Sequence, residues 1–420
     1  MSLQIPPALK HRKFTFLWLG LMISIAGSQM QFWALLWHLR QLSDQPIVVS
    51  GIGAVRFVPI LIFSLMAGLV ADLYNRRAIM AITQSSMALV ALALAFFTWQ
   101  GTIQVWHIYV LTAIQAMATS FDLPARQSLV PNLVPPEVLP SAFSMQSIAF
   151  DLGAIVGPAL SGLVIGYYGL YSAYLINAIS FLAVIAALIL MGPVAQTGAP
   201  QNRRQAFNFG AIADGIQFIR RSPVILSSMV LDFFATFFSS ANTLLPFVAR
   251  DVLHVGAVPY GWLSSAQSIG AVSAGLVMSQ QTRIRKQGFL LLTAVVVFGL
   301  ATMLFGVSRS FVLTLLALIV VGGGDSVSTI IRNTVRQIQT PDAMRGRMVS
   351  INQIFFTGGP QLGEIEAGIA AQTLGTPLSI VIGGAGCIAA VALIAWRWPQ
   401  LRRYNGDEPI LAQMAAPTSG

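Results

Sequence analysis

Charge is what this sequence has least of. Among 420 residues, 24 are Lys or Arg and 14 are Asp or Glu, 9% in all, where soluble domains carry about 25%. With 55% apolar residues and a mean hydropathy of +0.74, that shortage excludes an ordinary soluble globule. Cysteine is nearly absent too. Cys387 stands alone in an apolar run, which excludes an intrachain disulfide and leaves a small packing residue. No Asn-x-Ser/Thr sequon occurs, which fits a bacterial membrane better than a glycosylated surface. The chain also lacks Gly-x-x-x-x-Gly-Lys-Ser/Thr, the phosphate-cradling loop of a primary ATP pump. It shows no metal-ligand cluster and no nucleophile–base pattern, so no metal, no cofactor and no enzymatic activity are expected. Of the histidines, His38 and His254 fall near outer loops, where solvation is expected, and His107 begins an apolar run.

What is present is apolar length. A spanning helix needs about 20 apolar residues, and twelve such runs are read: 14–37, 52–71, 78–98, 106–125, 141–165, 170–191, 224–249, 260–279, 288–306, 311–331, 349–371 and 377–396. The N-terminus, Met1 to Lys13, is polar and basic, and the first run is long enough to span, so no cleavable signal is expected. One connection is long. It opens with Gly192-Pro-Val-Ala-Gln-Thr-Gly-Ala-Pro200, and Phe209, Ile212, Ile216 and Ile219 then share one helical face. Arg220 and Arg221 close that segment, which is expected to lie along the lipid surface. The predicted organisation is a six-helix bundle over 1–191, a cytoplasmic linker over 192–223, a second bundle over 224–399 and a tail over 400–420.

The net charge of +10 could suggest an acidic or nucleic-acid partner, but its distribution argues otherwise. With the N-terminus inside, 20 of the 24 basic residues fall on or beside the cytoplasmic face, and Arg40, Arg56, Arg250 and Arg309 do not. That imbalance predicts both termini inside. No patch gathers the basic residues, so no nucleic acid is expected. The halves also repeat. Ala67-Gly-Leu-Val70 recurs as Ala274-Gly-Leu-Val277, and Arg76 falls on Arg283. Gly153, Gly157 and Gly162 recur as Gly359, Gly363 and Gly368, Arg126 as Arg332 and Pro135 as Pro341. A fixed offset of this kind indicates internal duplication, which in a transporter places the substrate between repeats near the midplane.

The densest charge lies in the turn Ala67-Gly-Leu-Val-Ala-Asp-Leu-Tyr-Asn-Arg-Arg77. Gly68, Asp72, Arg76 and Arg77 resemble the signature Gly-x-x-x-Asp-Arg-x-Gly-Arg-Arg/Lys of the major facilitator superfamily. Leu73 replaces its first arginine and Asn75 its second glycine, a position where Asn can accept a left-handed conformation. The resemblance implies an all-α polytopic fold of twelve transmembrane helices in two pseudo-symmetric six-helix bundles. It also implies a latch in which Asp72 faces the start of span eleven and Arg76 pairs with an acid at the end of span four. Asp122 is offered for that pairing, with Arg126 one turn on. The alternative is a solvated turn that only sets orientation.

Gly153-Ala-Ile-Val-Gly157-Pro158-Ala-Leu-Ser-Gly162 resembles the antiporter signature Gly-x-x-x-Gly-Pro-x-x-Gly-Gly of superfamily exporters, with Ser161 at its first terminal glycine. Small residues four apart serve close helix packing in any bundle, so the proline and the echo in span eleven carry the weight. Phe121-Asp-Leu-Pro-Ala-Arg-Gln-Ser-Leu-Val-Pro131 and Thr340-Pro-Asp-Ala-Met-Arg-Gly-Arg-Met348 resemble the branch holding enterobactin exporters and drug:proton antiporters.

A proton-driven exporter needs an acid in the membrane. The candidates are Asp325, Asp232, Asp151, Glu364 and Glu366. Asp232 and Asp325 rank first because spans one, four, seven and ten line the cavity in this superfamily. Gly322-Gly-Gly-Asp-Ser326 could leave backbone groups facing water or cargo, and Glu364 and Glu366 point to different sides of one helix. Each acid could equally be a structural partner of an arginine such as Arg56. Candidate cavity residues are Gln29, Gln31, Trp33, Arg56, Gln115, Phe233 and Phe237. The reading is a monomeric exporter in the inner membrane, moving a small amphiphilic molecule against protons by alternating access. The rivals are an importer or lysophospholipid flippase on the same fold, or a transport-dead sensor.

Overall fold

The computed structural model describes residues 6–194, 216–281, 284–341 and 344–406. These residues form helices and turns, with no strand among them. Among the described residues the long helices are α1 (Arg12–Leu42), α2 (Ile52–Leu73), α3 (Arg76–Trp99), α4 (Val105–Leu129), α5 (Leu139–Tyr168), α6 (Leu170–Met191), α7 (Pro223–Ser239), α8 (Ala257–Ser279), α9 (Gln287–Val307), α10 (Phe311–Gln339), α11 (Arg345–Leu374) and α12 (Thr376–Arg397). Among the described residues, nine helices are long and apolar enough to cross a membrane. The long helices outside that set are α4, α8 and α11. Helix α4 carries Gln115, Asp122 and Arg126, and α11 carries Glu364 and Glu366. Large apolar side chains such as Leu89, Ile189, Leu190 and Leu393 stand exposed along the helices, as a lipid-facing surface requires.

The chain divides into two units. One takes Met1–Ala206 with His254–Ser265, the other Phe207–Leu253 with Ala266–Gly420. In the first unit α1 packs on α5 and α6, α2 on α4, and α3 on α4 and α6. Its core joins Phe14, Leu17 and Leu21 to Ala125, Leu129, Val184 and Leu188. In the second, α9 packs on α10 and α12, and α7 on α11 and α12. Its core joins Leu231, Leu291, Val295, Val335 and Ile394 to Cys387, which is fully buried.

Both units use glycine in the same way. A Cβ on Gly157 would lie 2.7 Å from the Ala26 carbonyl and 3.0 Å from the Met30 nitrogen, and one on Gly153 3.2 Å from the Ala26 nitrogen. Helix α5 therefore lies directly on the α1 backbone. In the second unit a Cβ on Gly359 would meet the Phe233 carbonyl at 3.2 Å, and one on Gly363 would overlap the Phe237 carbonyl, which seats α11 on α7. Gly162 presses against Ala257 and Gly261 at the start of α8, beside the Pro158 carbonyl.

Several expectations need correction. The run 224–249 lies within the apolar span Pro223–Val252, but not as one regular helix: α7 ends at Ser239, Ser240 leaves helical geometry at ψ 70°, and short helical turns then carry the chain through Asn242–Val252. Ser240 Oγ donates to the Thr236 carbonyl at 2.5 Å, a back-bond that bends helices, and Pro246 follows. The three glycines 322–324 stay helical within α10 and do not free their backbone. Gly322 instead lies against the Gln267 backbone of α8, and Gly324 against Ala294 and Phe298 of α9. Asn75 is extended at φ −65°, and its side chain caps α3 by accepting from the Arg77 and Ala78 amides. His38 is buried and bonds Tyr174 Oη at 3.0 Å, so it is not solvated.

The interdomain segment lies mostly outside the described residues, Phe209 and Ile212 included. Its described end, 216–221, is helical, with Ile219 buried beside Ile225, Met229 and Ile351. That end docks on protein, not only on lipid. The start of the tail is also packed. Leu401 and Tyr404 are buried, the Gly288 amide donates to the Tyr404 carbonyl at 2.9 Å, and a Cβ on Gly288 would overlap the Leu401 carbonyl.

The glycine seams give a paired expectation. Gly157→Ala should destabilise by about 1–3 kcal/mol, the usual cost of overpacking. Gly68→Ala should be close to neutral, because a Cβ there meets nothing within 4 Å. Thermal unfolding of the two purified variants, followed by size-exclusion fluorescence, checks the contrast, and equal losses would refute it.

Candidate functional site

The first unit holds a cavity of about 290 Å³. Gln29, Gln31, Phe32 and Arg56 line it from α1 and α2, and Gln84, Thr112, Gln115, Asp122 and Arg126 from α3 and α4. A run of amides crosses its wall. Ser180 Oγ donates to Asn177 Oδ1 (2.9 Å), Asn177 Nδ2 to Gln31 Oε1 (2.7 Å) and Gln31 Nε2 to Gln115 Oε1 (2.6 Å). Gln31 and Asn177 are buried, so these bonds fix polar groups that would otherwise carry a desolvation cost. The Arg56 guanidinium rests on the Phe32 ring, 4.5 Å from its centroid. Trp33 does not line this cavity. It turns its edge to Tyr260, whose hydroxyl donates to the Trp33 carbonyl at 3.0 Å.

At the charged turn the arrangement differs from the implied latch. Arg76 donates to the carbonyls of Ala71 (3.2 Å) and Ser128 (2.8 Å) and to Asn132 Oδ1 (2.9 Å). Asp122 accepts from Thr83 Oγ1 and Gln84 Nε2, both at 2.9 Å. The Arg76–Asp122 pair is thus replaced by two separate sets of neutral partners. The physical reason is position: Arg76 reaches the last turn of α4, whereas Asp122 lies two turns earlier and faces α3. Arg77 donates to the Leu188 carbonyl at 2.7 Å. Asp72 is exposed, and the side chains of Arg345–Arg347, at the start of α11, lie outside the described residues. Asp151 is exposed on α5 beside a second, smaller cavity that Arg126 also borders.

The second unit carries the strongest electrostatic feature. Asp232 of α7 is buried against two arginines of α10, with Oδ1 2.9 Å from Arg332 Nη2 and Oδ2 3.3 Å from Arg336 Nη2. All three residues are at most 3% exposed. Arg332 sends its protons to Ser328 Oγ and Thr329 Oγ1, both at 2.8 Å, and Arg336 donates to Asn352 Oδ1. Asp325 stands at the edge, its carboxylate 3.8 Å from Arg332 and 49% exposed. Two acids and two bases leave the group neutral overall, which burial in a low dielectric demands. On α11, Glu364 is buried and Glu366 half-buried. The Phe233 and Phe237 rings stack 5.9 Å apart, and both belong to the second unit.

Comparison with known proteins fits this geometry. The family profile described as transmembrane secretion effector matches residues 5–417. The chain belongs to this family of the major facilitator superfamily. It is 24% identical to an uncharacterized MFS-type transporter, YfiS, of Bacillus subtilis, over 87% of this chain and 88% of that one. It is 26% identical to the multidrug efflux pump Tap of Mycolicibacterium fortuitum, over 83% and 87%. It is 24% identical to the enterobactin exporter EntS of Escherichia coli, over 84% and 83%. Among solved structures it resembles a bacterial homologue of the human lysosomal transporter Spinster in an inward-facing, occupied conformation. That match has a TM-score of 0.75 at 13% identity and covers 96% of this chain and 99% of the other. A bacterial ferroportin homologue matches at TM-score 0.68 and 16% identity, covering 94% and 99%. These likenesses identify a multi-pass membrane transporter of the superfamily, with efflux proteins among its relatives, and not an enzyme.

For this family member, sequence reading ranked Asp232 and Asp325 but missed Arg332 and Arg336, which were counted as border charge. A signal was available: arginines four apart continue an apolar helix and are preceded by Ser328 and Thr329 on the same face. Asp232→Asn should cost about 3–5 kcal/mol, since removing one partner strands buried charge. Asp325→Asn should cost far less. Melting of both variants in detergent checks the order, and a reversed order would remove Asp232 from the structural role.

Proposed function

We propose that this protein exports a small amphiphilic molecule across the bacterial inner membrane in exchange for protons, by alternating access, as a monomer with both termini cytoplasmic. In this reading the bundles 1–191 and 224–399 are the moving bodies and 192–223 is the tether. Two relatives bear efflux names, a multidrug pump and an enterobactin exporter, which supports the direction. The first unit's cavity, walled by apolar side chains and a few fixed amides, suits an amphiphile.

The observation that carries the coupling is the unequal hold on the two acids. Asp232 has both oxygens against guanidinium groups, whereas Asp325 keeps one contact at 3.8 Å and is half open. Asp325 is therefore the acid that can take a proton and give it back without breaking the buried pair. A proton on Asp325 leaves the four-residue group with a net charge of +1, and its release restores neutrality. Each turnover can then tie one proton to a change in the cost of enclosing this group. In this scheme Asp232 and its arginines hold α7 to α10, while Asp151, Glu364 and Glu366 are not needed for the proton step. The seams at Gly153, Gly157, Pro158 and Gly162 hold the helices close.

A panel of drugs and siderophores, scored as resistance or efflux in a pump-deficient bacterium, identifies a transported compound. With that compound in proteoliposomes, Asp325→Asn should abolish accumulation driven by a pH gradient and preserve downhill cargo exchange. Undiminished uphill transport by Asp325→Asn would remove this residue from the coupling role.

A further inference from the structure

The duplicated halves treat one arginine in opposite ways. Arg332 on α10 is closed against Asp232 of α7. Its repeat, Arg126 on α4, borders the first unit's cavity, and α1 contains no acidic residue at all. Among the described residues no carboxylate lies within 4 Å of the Arg126 guanidinium, nor of Arg56, which opens into the same cavity. The one acid in the lining, Asp122, is already occupied by Thr83 and Gln84. The cavity thus carries two cations against one anion.

A half-buried arginine that faces a cavity with no carboxylate beside it is costly unless something supplies a counter-ion. Water can hydrate it, but a guanidinium seated on Phe32 is also held in a fixed direction, which suits an oxyanion able to accept two N–H bonds. We propose that the first unit's cavity binds the anionic head of an amphiphilic organic acid, a carboxylate, sulfonate or phosphate ester. Arg56, held on Phe32, is its charge partner, Arg126 near the end of α4 adds a second positive charge to the same cavity, and Phe150 and Phe181 flank its apolar part. This rests on the reading of the cavity as a cargo site and deepens it: the second unit neutralises its own charge, and the first leaves that task to the cargo.

The test uses the full chain in phosphatidylcholine nanodiscs and three probes that share one ring system: 1-pyrenebutyrate, 1-pyrenebutanol and 1-pyrenebutylamine. The acid should bind about tenfold tighter than the alcohol, as a charge-assisted contact gives, and the amine should bind weakest. Arg56→Gln should lose about tenfold for the acid and less for the alcohol, and Arg126→Gln a smaller share of the acid's affinity, while an unchanged melting temperature reports an intact fold. Arg56→Lys should retain most of the preference. Replacing half the lipid with phosphatidylglycerol, or adding inorganic phosphate, should leave the acid's affinity within about twofold. Equal affinity for the three probes, no saturable binding of the acid, or a preference untouched by both arginine variants would overturn the proposal. Full displacement by phosphatidylglycerol or phosphate would assign the site to a headgroup or a free ion and overturn it as well. The measurement involves no proton gradient and no direction of movement. It can fail while proton-driven export stands, and succeed if that export reading fails.

Discussion

An ion inside a low-dielectric interior has to be cancelled within a few ångströms, and the rest of this protein is arranged around how that is done. In the second unit the cancellation is internal. Asp232 bridges α7 to Arg332 and Arg336 on α10, and the hydroxyls of Ser328 and Thr329 absorb protons that the carboxylate does not. Such a cluster contributes little net stability compared with a well-packed apolar core, but removing one member is expensive. It fixes which helices face one another more than it strengthens the fold. The first unit meets its buried acid with dipoles instead. Gln31, Gln115, Asn177 and Ser180 form a neutral relay, and Asp122 is met by a hydroxyl and an amide.

Close helix approach makes both solutions possible. Gly153 and Gly157 bring α5 onto α1, and Gly359 and Gly363 bring α11 onto α7. In lipid, helices gain no hydrophobic drive by associating, so dispersion contacts at such seams carry the packing. The same seams set the depth and rotation of α1 and α7, the helices that present Gln31 and Asp232.

Much of this was legible in the chain. Apolar length, scarcity of charge and the fixed-offset repeat point to a duplicated helical membrane protein, and the repeated glycines fall where the helices meet. The Gly-Pro run and the charged turn pointed to the superfamily. What could not be read was pairing across helices. Nothing in the local sequence says that Arg76 would choose Ser128 and Asn132 over Asp122, since the choice depends on how far α4 extends before it ends. Nor could hydropathy separate Arg332 from a solvated border arginine, because both follow apolar runs. His38 was misplaced for the same reason: its neighbour Tyr174 is far away in sequence and adjacent only once α1 and α6 pack. The break after Ser239 needed the back-bond from Ser240 to Thr236, which composition does not announce.

The docked segment around Leu401 and Tyr404 has a consequence for assembly. The Gly288 amide at the start of α9 finds its acceptor at Tyr404, more than a hundred residues further along the chain, and Gln339 reaches the same tyrosine's hydroxyl. During synthesis α9 and α10 are complete well before that partner exists. Their ends must stay open, or be tended by the insertion machinery, until the last helix has been laid down. The second unit is therefore sealed late and from the outside, by a short strap that arrives after the bundle it closes.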